Sequence, residues 1–269
     1  MKMTEKNNGI NNTVWCGEVI TPLEFSHEIT DKTTNEVLEK FYKFSLKTKV
    51  VTNKGKELDD SKLPMVVSEK HLEKLEKQLE VGDVVFIRGS WRAYTINEDT
   101  NRKVEQVGLV NHIVHSELKD GKYLNRFDFQ GYLVDKLYIP ERDEATGKPL
   151  RDPETRKFLP LLDEEGNKQW TVRLNREKKV VNDYFIAINT NNRSFYIPCV
   201  SYFGLAKKVA EEFNLGSELK GSGYVRSRTY SDDAGRERTV YEAVVVSLEL
   251  VPSSENQPEI VTSVEDTQE

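Results

Sequence analysis

The chain of 269 residues has a formal net charge of −6, is 37% hydrophobic and 31% charged, and contains only two cysteines, Cys16 and Cys199. That length allows two compact domains, each with its own core. The cysteine count excludes a disulfide scaffold and fits a reducing cytoplasm, and no apolar run reaches membrane-spanning length.

The opening MKMTEKNNG has no apolar segment of the secretory type. An acidic balance argues mildly against nucleic acid as a partner, but the charge is unevenly distributed. Glu255, Glu259, Glu265, Asp266 and Glu269 supply −5 within the last 17 residues, which hold no Lys or Arg, so the remainder carries about −1. A basic groove on a neutral body is compatible with that total.

Residues 1–11 are polar and rich in Asn, and are expected to be disordered. Alternation then predicts strands over 13–23 and 40–51, the latter with Tyr42, Phe44 and Leu46 against Lys43, Ser45 and Lys47. After a charged loop, a short strand at 63–67 leads into a helix predicted over 68–79. Ser68 would cap it, and Leu72, Leu75 and Leu79 would form its apolar stripe. Val81-Gly82-Asp83 turns the chain into strands over 84–96 and 104–116. Three strands, a helix and two strands is the order of an OB barrel.

The same order recurs, with strands predicted over 126–137, 181–190 and 195–200, a helix over 205–213, and a closing hairpin from Glu218 to Val246. Four positions keep one offset of 134: Pro64 with Pro198, Gly82 with Gly216, Gly89 with Gly223, and Arg92 with Arg226. One register held through a helix and a turn points to an internal repeat. The fold expected is mainly β: two tandem five-stranded OB barrels, each with a helix between its third and fourth strands. The domains run 12–118 and 124–251, joined by a linker at 119–123 and followed by an acidic disordered tail at 252–269.

One segment breaks the symmetry, an insertion at about 139–179 rich in Pro, Gly and charge. It ends with Trp170 followed by Arg173, Arg176, Lys178 and Lys179. Two readings fit it: a loop bordering a ligand groove, or a mobile solvated loop.

In the closing hairpin Leu219, Gly221, Gly223, Val225 and Ser227 share one strand face, while Lys220, Ser222, Tyr224, Arg226, Arg228 and Tyr230 share the other. Rings between cations suit a groove for single-stranded nucleic acid; the alternative is a half-buried strand whose arginines sit in ion pairs. On the first reading Arg226, Arg228, Arg236, Arg238 and Lys220 meet phosphates, while Tyr224, Tyr230 and a ring from Phe195 or Tyr196 stack on bases. Trp170 and Arg173 join from the insertion. Domain one offers a thinner set, Arg92, Tyr94 and Lys43. Trp91 falls on the inward parity, and Phe41 is either a stacking ring or a cap of the barrel end.

From Tyr196 onward the second domain resembles the bacterial, phage and plasmid single-stranded-DNA-binding proteins. The residues that carry this are Phe203-Gly204-Leu205-Ala206, Leu215-Gly216-Ser217-Glu218, Gly223 to Tyr230, Arg238 to Val245, and Tyr184 to Asn189. The resemblance implies an OB fold that coats single-stranded DNA and a partner-docking acidic tail. The family's usual chain has one OB fold and assembles into tetramers. This chain has two, and its end, Val264-Glu265-Asp266-Thr267-Gln268-Glu269, lacks the family's acidic-Pro-Phe tip.

The function expected is sequence-tolerant binding and protection of single-stranded DNA in replication, recombination or transfer, in the cytoplasm. Two alternatives stand beside it: a primosome- or conjugation-type accessory protein using its OB domains for protein contacts, and an RNA-binding OB protein. Expected partners are the nucleic acid, a further copy of the chain, and replication or recombination proteins reached through the tail; no membrane is expected. No catalytic site is expected, because no nucleophile elbow, HExxH or phosphate-cradling Gly-Lys-Ser/Thr loop occurs. No metal or cofactor is expected either: no cysteine pair has zinc spacing, and His112 and His115 lie three apart on a strand, on opposite faces.

Overall fold

The computed structural model describes residues 9–50, 57–98, 101–175, 178–190, 193–231 and 235–252, apart from the side chains of 94–98 and 101–104. The protein is mainly β. Its N-terminal half runs β1 (Ile10–Val19), β2 (Glu24–Thr30), β3 (Val37–Thr48), β4 (Ser61–Ser68), α1 (Glu69–Leu72), β5 (Val84–Glu98) and β6 (Asn101–His115). The C-terminal half runs β7 (Leu124–Lys136), β8 (Arg173–Leu174), β9 (Val180–Thr190), β10 (Arg193–Tyr202), α2 (Phe203–Glu211), β11 (Glu218–Ser231) and β12 (Glu237–Leu250).

Pairing closes each half into a circuit. In the first, β1 joins β3 and β5, β3 joins β4, β4 joins β6 in parallel, and β6 joins β5. In the second, β7 joins β9 and β11, β9 joins β10, β10 joins β12 in parallel, and β12 joins β11. The offset seen in the sequence has a backbone cause at two places. Gly82 and Gly216 take positive φ, 95° and 83°, a conformation that costs a Cβ-bearing residue dearly. Their amides reach the carbonyls of Val19 and Leu133, at 2.8 and 2.7 Å. Gly89 and Gly223 each sit at a β-bulge. A Cβ there would lie 2.1 Å from the Leu109 carbonyl oxygen and 1.9 Å from that of Val244.

Alternation fills both interiors. Trp15, Leu46, Met65, Ile87 and Trp91 are fully buried in the first half, and Phe127, Tyr184, Ile186, Ile197 and Val225 in the second. The halves share one sheet rather than hanging from residues 119–123: β1 pairs with β7 from Ile10↔Gln130 to Cys16↔Leu124. Side chains cross the seam as well. The Gln106 amide accepts from Trp91 Nε1 at 3.0 Å and donates to the Tyr241 carbonyl at 2.9 Å.

The structure departs from the sequence reading or adds to it at three places. The helix expected over 68–79 stops at Leu72. Beyond it the chain continues through turns and bends, Leu79 still reaches the core, and the Glu80 amide donates to Asp83 Oδ2 in the turn that leads to β5. Strand β2 was not anticipated; bulges after Phe25 and Ile29 break its alternation. The insertion, for which a mobile loop was one reading, is built of turns. Asp143, Asp152 and Asp163 each accept backbone N–H bonds through Oδ1. The residue closing each turn, Gly147, Arg156 or Gly166, has positive φ. These are Asx-type hairpin turns in series, and Asp31 with Asn35 makes the same turn between β2 and β3.

Candidate nucleic-acid interface

The outer face of the C-terminal half places Tyr224, Arg226, Arg228 and Tyr230 of β11 opposite Val244, Glu242, Val240 and Arg238 of β12. A groove of about 1030 Å³ runs over this face. Its other walls come from Tyr202 at the end of β10, from Phe203 and Leu205 of α2, from Arg173, Asn175 and Lys179 at the end of the insertion, and from Glu57, Leu58, Asp59 and Ser61 at the entry to β4. The N-terminal half therefore supplies one wall, tied down where the Lys62 amide donates to Ser227 Oγ at 2.8 Å.

Two arginines of the hairpin, Arg226 and Arg228, sit in ion pairs, on a face that lines the groove. Arg226 donates through Nε and Nη2 to Glu242 Oε2 at 2.9 and 2.7 Å. Arg228 donates through Nε and Nη2 to Glu242 Oε1 at 3.2 and 2.7 Å. Arg226 also bonds the Tyr202 hydroxyl and lies 5.3 Å from the centre of that ring, and Arg228 lies 5.9 Å from that of Tyr230. Burial pushes the Glu242 carboxyl up, and the two guanidinium groups more than offset it, so its pKa settles below the usual glutamate value.

Tyr224 is half-buried in a small apolar cluster with Val181, Val200, Val244 and Tyr202, and burial raises its pKa. Arg173 lines the groove paired to Asp183, with Nη2 2.9 Å from Oδ1. Five of the expected residues thus come together here: Tyr224, Arg226, Arg228, Tyr230 and Arg173.

Among the described residues, the others do not line the groove. Lys220 is exposed near the far end of β11, beside Glu249, about 20 Å from Arg226 along the strand. Arg236 and Arg238 are exposed at and beside the start of β12, engaged in contacts of their own. Of the alternatives Phe195 and Tyr196, Phe195 packs against the core with Arg92 stacked 4.6 Å above it, whereas Tyr196 is 56% exposed on the outer face of β10. Trp170 lies 4.9 Å from Lys136 Nζ. That buried ammonium donates to the carbonyls of Val209, Ala210 and Phe213 at 2.7–3.2 Å, closing the C-terminal end of α2. Lys43 pairs with Glu24 at 3.3 Å. The Tyr94 side chain falls outside the described residues. Phe41 stacks on His27, ring centres 4.7 Å apart.

Three groups at the groove were not among the binding residues expected from the sequence. Glu242 carried no signal until strand register set it opposite Arg226. Tyr202 ends β10 just before the helix. Phe203 begins α2 with φ of 57° and is 58% exposed. A bulky side chain held in the left-handed region and presented to solvent is the kind of strain that collects at functional sites. Phe185 was quoted only as part of a strand; it is exposed on the outer face of β9, opposite Pro198. Among the described residues no group of three or more His, Cys, Asp or Glu is placed to hold a metal, and no helix is long and apolar enough to cross a membrane.

No protein-family model matches the chain, and no curated protein matches it in sequence. Solved structures do. Wild-type single-stranded DNA binding protein from Thermus aquaticus superimposes with a TM-score of 0.62 at 14% identity, covering 94% of this chain and 98% of that one. A deletion mutant of the same protein gives 0.62 at 16% identity, covering 94% of this chain and all of that one. Across nearly its whole length the chain shares the fold of the Thermus aquaticus single-stranded DNA binding protein.

Proposed function

We propose that this protein binds single-stranded DNA without strong sequence preference, and that it is not an enzyme. Its two circuits are read as tandem OB barrels over 12–118 and 124–251, the second carrying the main binding surface. One observation carries this reading: an open groove lined by the rings of Tyr202, Phe203, Tyr224 and Tyr230 around Arg226 and Arg228. Rings stack on any base, and guanidinium groups meet the backbone between them. The fold shared with proteins named for single-stranded DNA binding agrees with it. Roles in replication, recombination or transfer follow from such coating, in a host or in a phage or plasmid, and partners would reach the chain through its acidic tail.

The test is fluorescence anisotropy with labelled oligo-dT of increasing length, with RNA and duplex of equal length beside it. Preferential binding of oligo-dT supports the proposal, and no binding at low salt overturns it. A preference for RNA turns the same groove to RNA coating.

A second reading, an assembly module, draws on the exposed Phe25, Ile29, Val37 and Leu38 around the hairpin of β2 and β3, at one edge of the sheet. Self-association by sedimentation without any DNA binding would favour it.

A further inference from the structure

The groove is less basic than its arginines suggest. Four cations line it, Arg173, Lys179, Arg226 and Arg228, against three carboxylates, Glu57, Asp59 and Glu242, leaving one positive charge. Just behind the lining, Asp183 pairs with Arg173 and Lys49 with Glu57, so these two offset one another and the balance stays near neutral. Glu242 stands between the two arginines with 15% of its side chain exposed, against 28% for Arg226 and 50% for Arg228. It occupies the Nε–Nη2 edge of both, the edge a phosphate would otherwise take bidentately.

Resting on the functional reading above, we infer that Glu242 is the specificity-determining residue of the groove, acting through Arg226 and Arg228 to make it select unpaired strands over other polyanions. The reasoning is a difference between two contributions. Phosphate attraction is common to single strands, duplex and polyphosphate, and it grows with the number of cations free to release counterions. Stacking on Tyr202, Phe203 and Tyr230 is open only to bases whose faces are exposed. A carboxylate that holds down the first contribution and leaves the second intact widens the gap between right and wrong ligands, which is specificity by penalising competitors. The N-terminal half shows what the position looks like without it. There Arg92 faces Val107 across the sheet, and its guanidinium is covered by Phe195 rather than offered to a ligand.

The experiment compares the full chain with Glu242→Gln and Glu242→Asp, using oligo-dT, duplex of equal length and inorganic polyphosphate over a salt series. Glu242→Gln should bind duplex and polyphosphate about tenfold more tightly and oligo-dT about threefold, with the slope of log affinity against log salt steeper by about 0.7 for oligo-dT and about 0.9 for duplex, one further phosphate neutralised. Glu242→Asp, which keeps the charge, should retain the wild-type preference. Unchanged preference and slope in Glu242→Gln, or equal loss for every ligand, overturns the role of Glu242. Should that variant fail to fold, Glu242→Val, which installs the residue type that faces Arg92 in the N-terminal half, takes its place. It must relax selectivity in the same direction, and no change there overturns the inference. A wild-type chain that does not bind oligo-dT, or does not prefer it to duplex, overturns the functional reading instead.

Discussion

Arg92 and Arg226 occupy the same place in the two halves, three residues after a bulged glycine and on the outward parity of the same strand. Their surroundings separate them. Arg226 meets a carboxylate, a tyrosine ring and an open groove. Arg92 lies over Phe195 at the seam between the halves, where burial, with Arg193 nearby, lowers its pKa. The repeated backbone sets where the arginine goes, and what faces it decides whether it serves the fold or a ligand.

The widest test of that equivalence is at the bulges. Ala at Gly89 or at Gly223 drives a Cβ into a backbone carbonyl that no side-chain rotation can relieve. Each should cost about 3 kcal/mol or more in denaturant unfolding. Comparable losses at both sites would confirm equivalent bulges; a tolerated Ala at one would show that the repeat is not shared at that level.

Next in size is Phe203. Truncation to Ala should weaken oligo-dT binding by roughly 1–3 kcal/mol, the worth of one stacked base. Phe203→Gly should weaken binding similarly while raising stability by about 1 kcal/mol, because it removes a bulky residue from positive φ. A Gly variant that loses stability would show that the ring is held for packing.

The arginines then split by readout. Arg226→Ala should lower oligo-dT affinity by about 1–2 kcal/mol, a charge-assisted contact removed. Arg92→Ala should leave that affinity unchanged and reduce stability by about 1 kcal/mol, through its lost stacking on Phe195. Affinity loss in Arg92→Ala would erase the contrast and extend the binding track across the seam.

How much of this the sequence could reveal follows from how far each signal reaches along the chain. Gly82, Gly89, Gly216 and Gly223 are required by local backbone geometry, so their common offset was legible. The outward placing of Tyr224, Arg226 and Arg228 follows from period two within a single strand, and it too was legible. Glu242 sits 16 residues from Arg226, and its pairing depends on hairpin register and on the bulge after Ser222. Neither can be read from composition. Phe195 and Tyr196 could not be separated because their difference is contact with the other half. The turns at Asp143, Asp152 and Asp163 recur at spacings of 9 and 11 residues, shorter than a domain and masked by the Pro, Gly and charge that suggested a loop.

The smallest effect expected concerns acid. The ordinary glutamate value is 4.5, and the folded value of Glu242 lies below it. A depressed carboxylate contributes stability that is fully present above the unfolded pKa and is lost as pH falls through the folded one. Glu242→Gln should therefore flatten the acid limb of the stability curve below about pH 4.5, by less than about 1 kcal/mol once its partly exposed partners are allowed for. The N-terminal half has Val107 at the matching register and so no corresponding group opposite Arg92. Substituting Arg92 should therefore shift stability by the same amount at every pH, whereas substituting Arg226 should shift it more at neutral pH than in acid. A pH-independent loss in both variants would mean that the ion pair at Glu242 contributes nothing to folding and serves the groove alone.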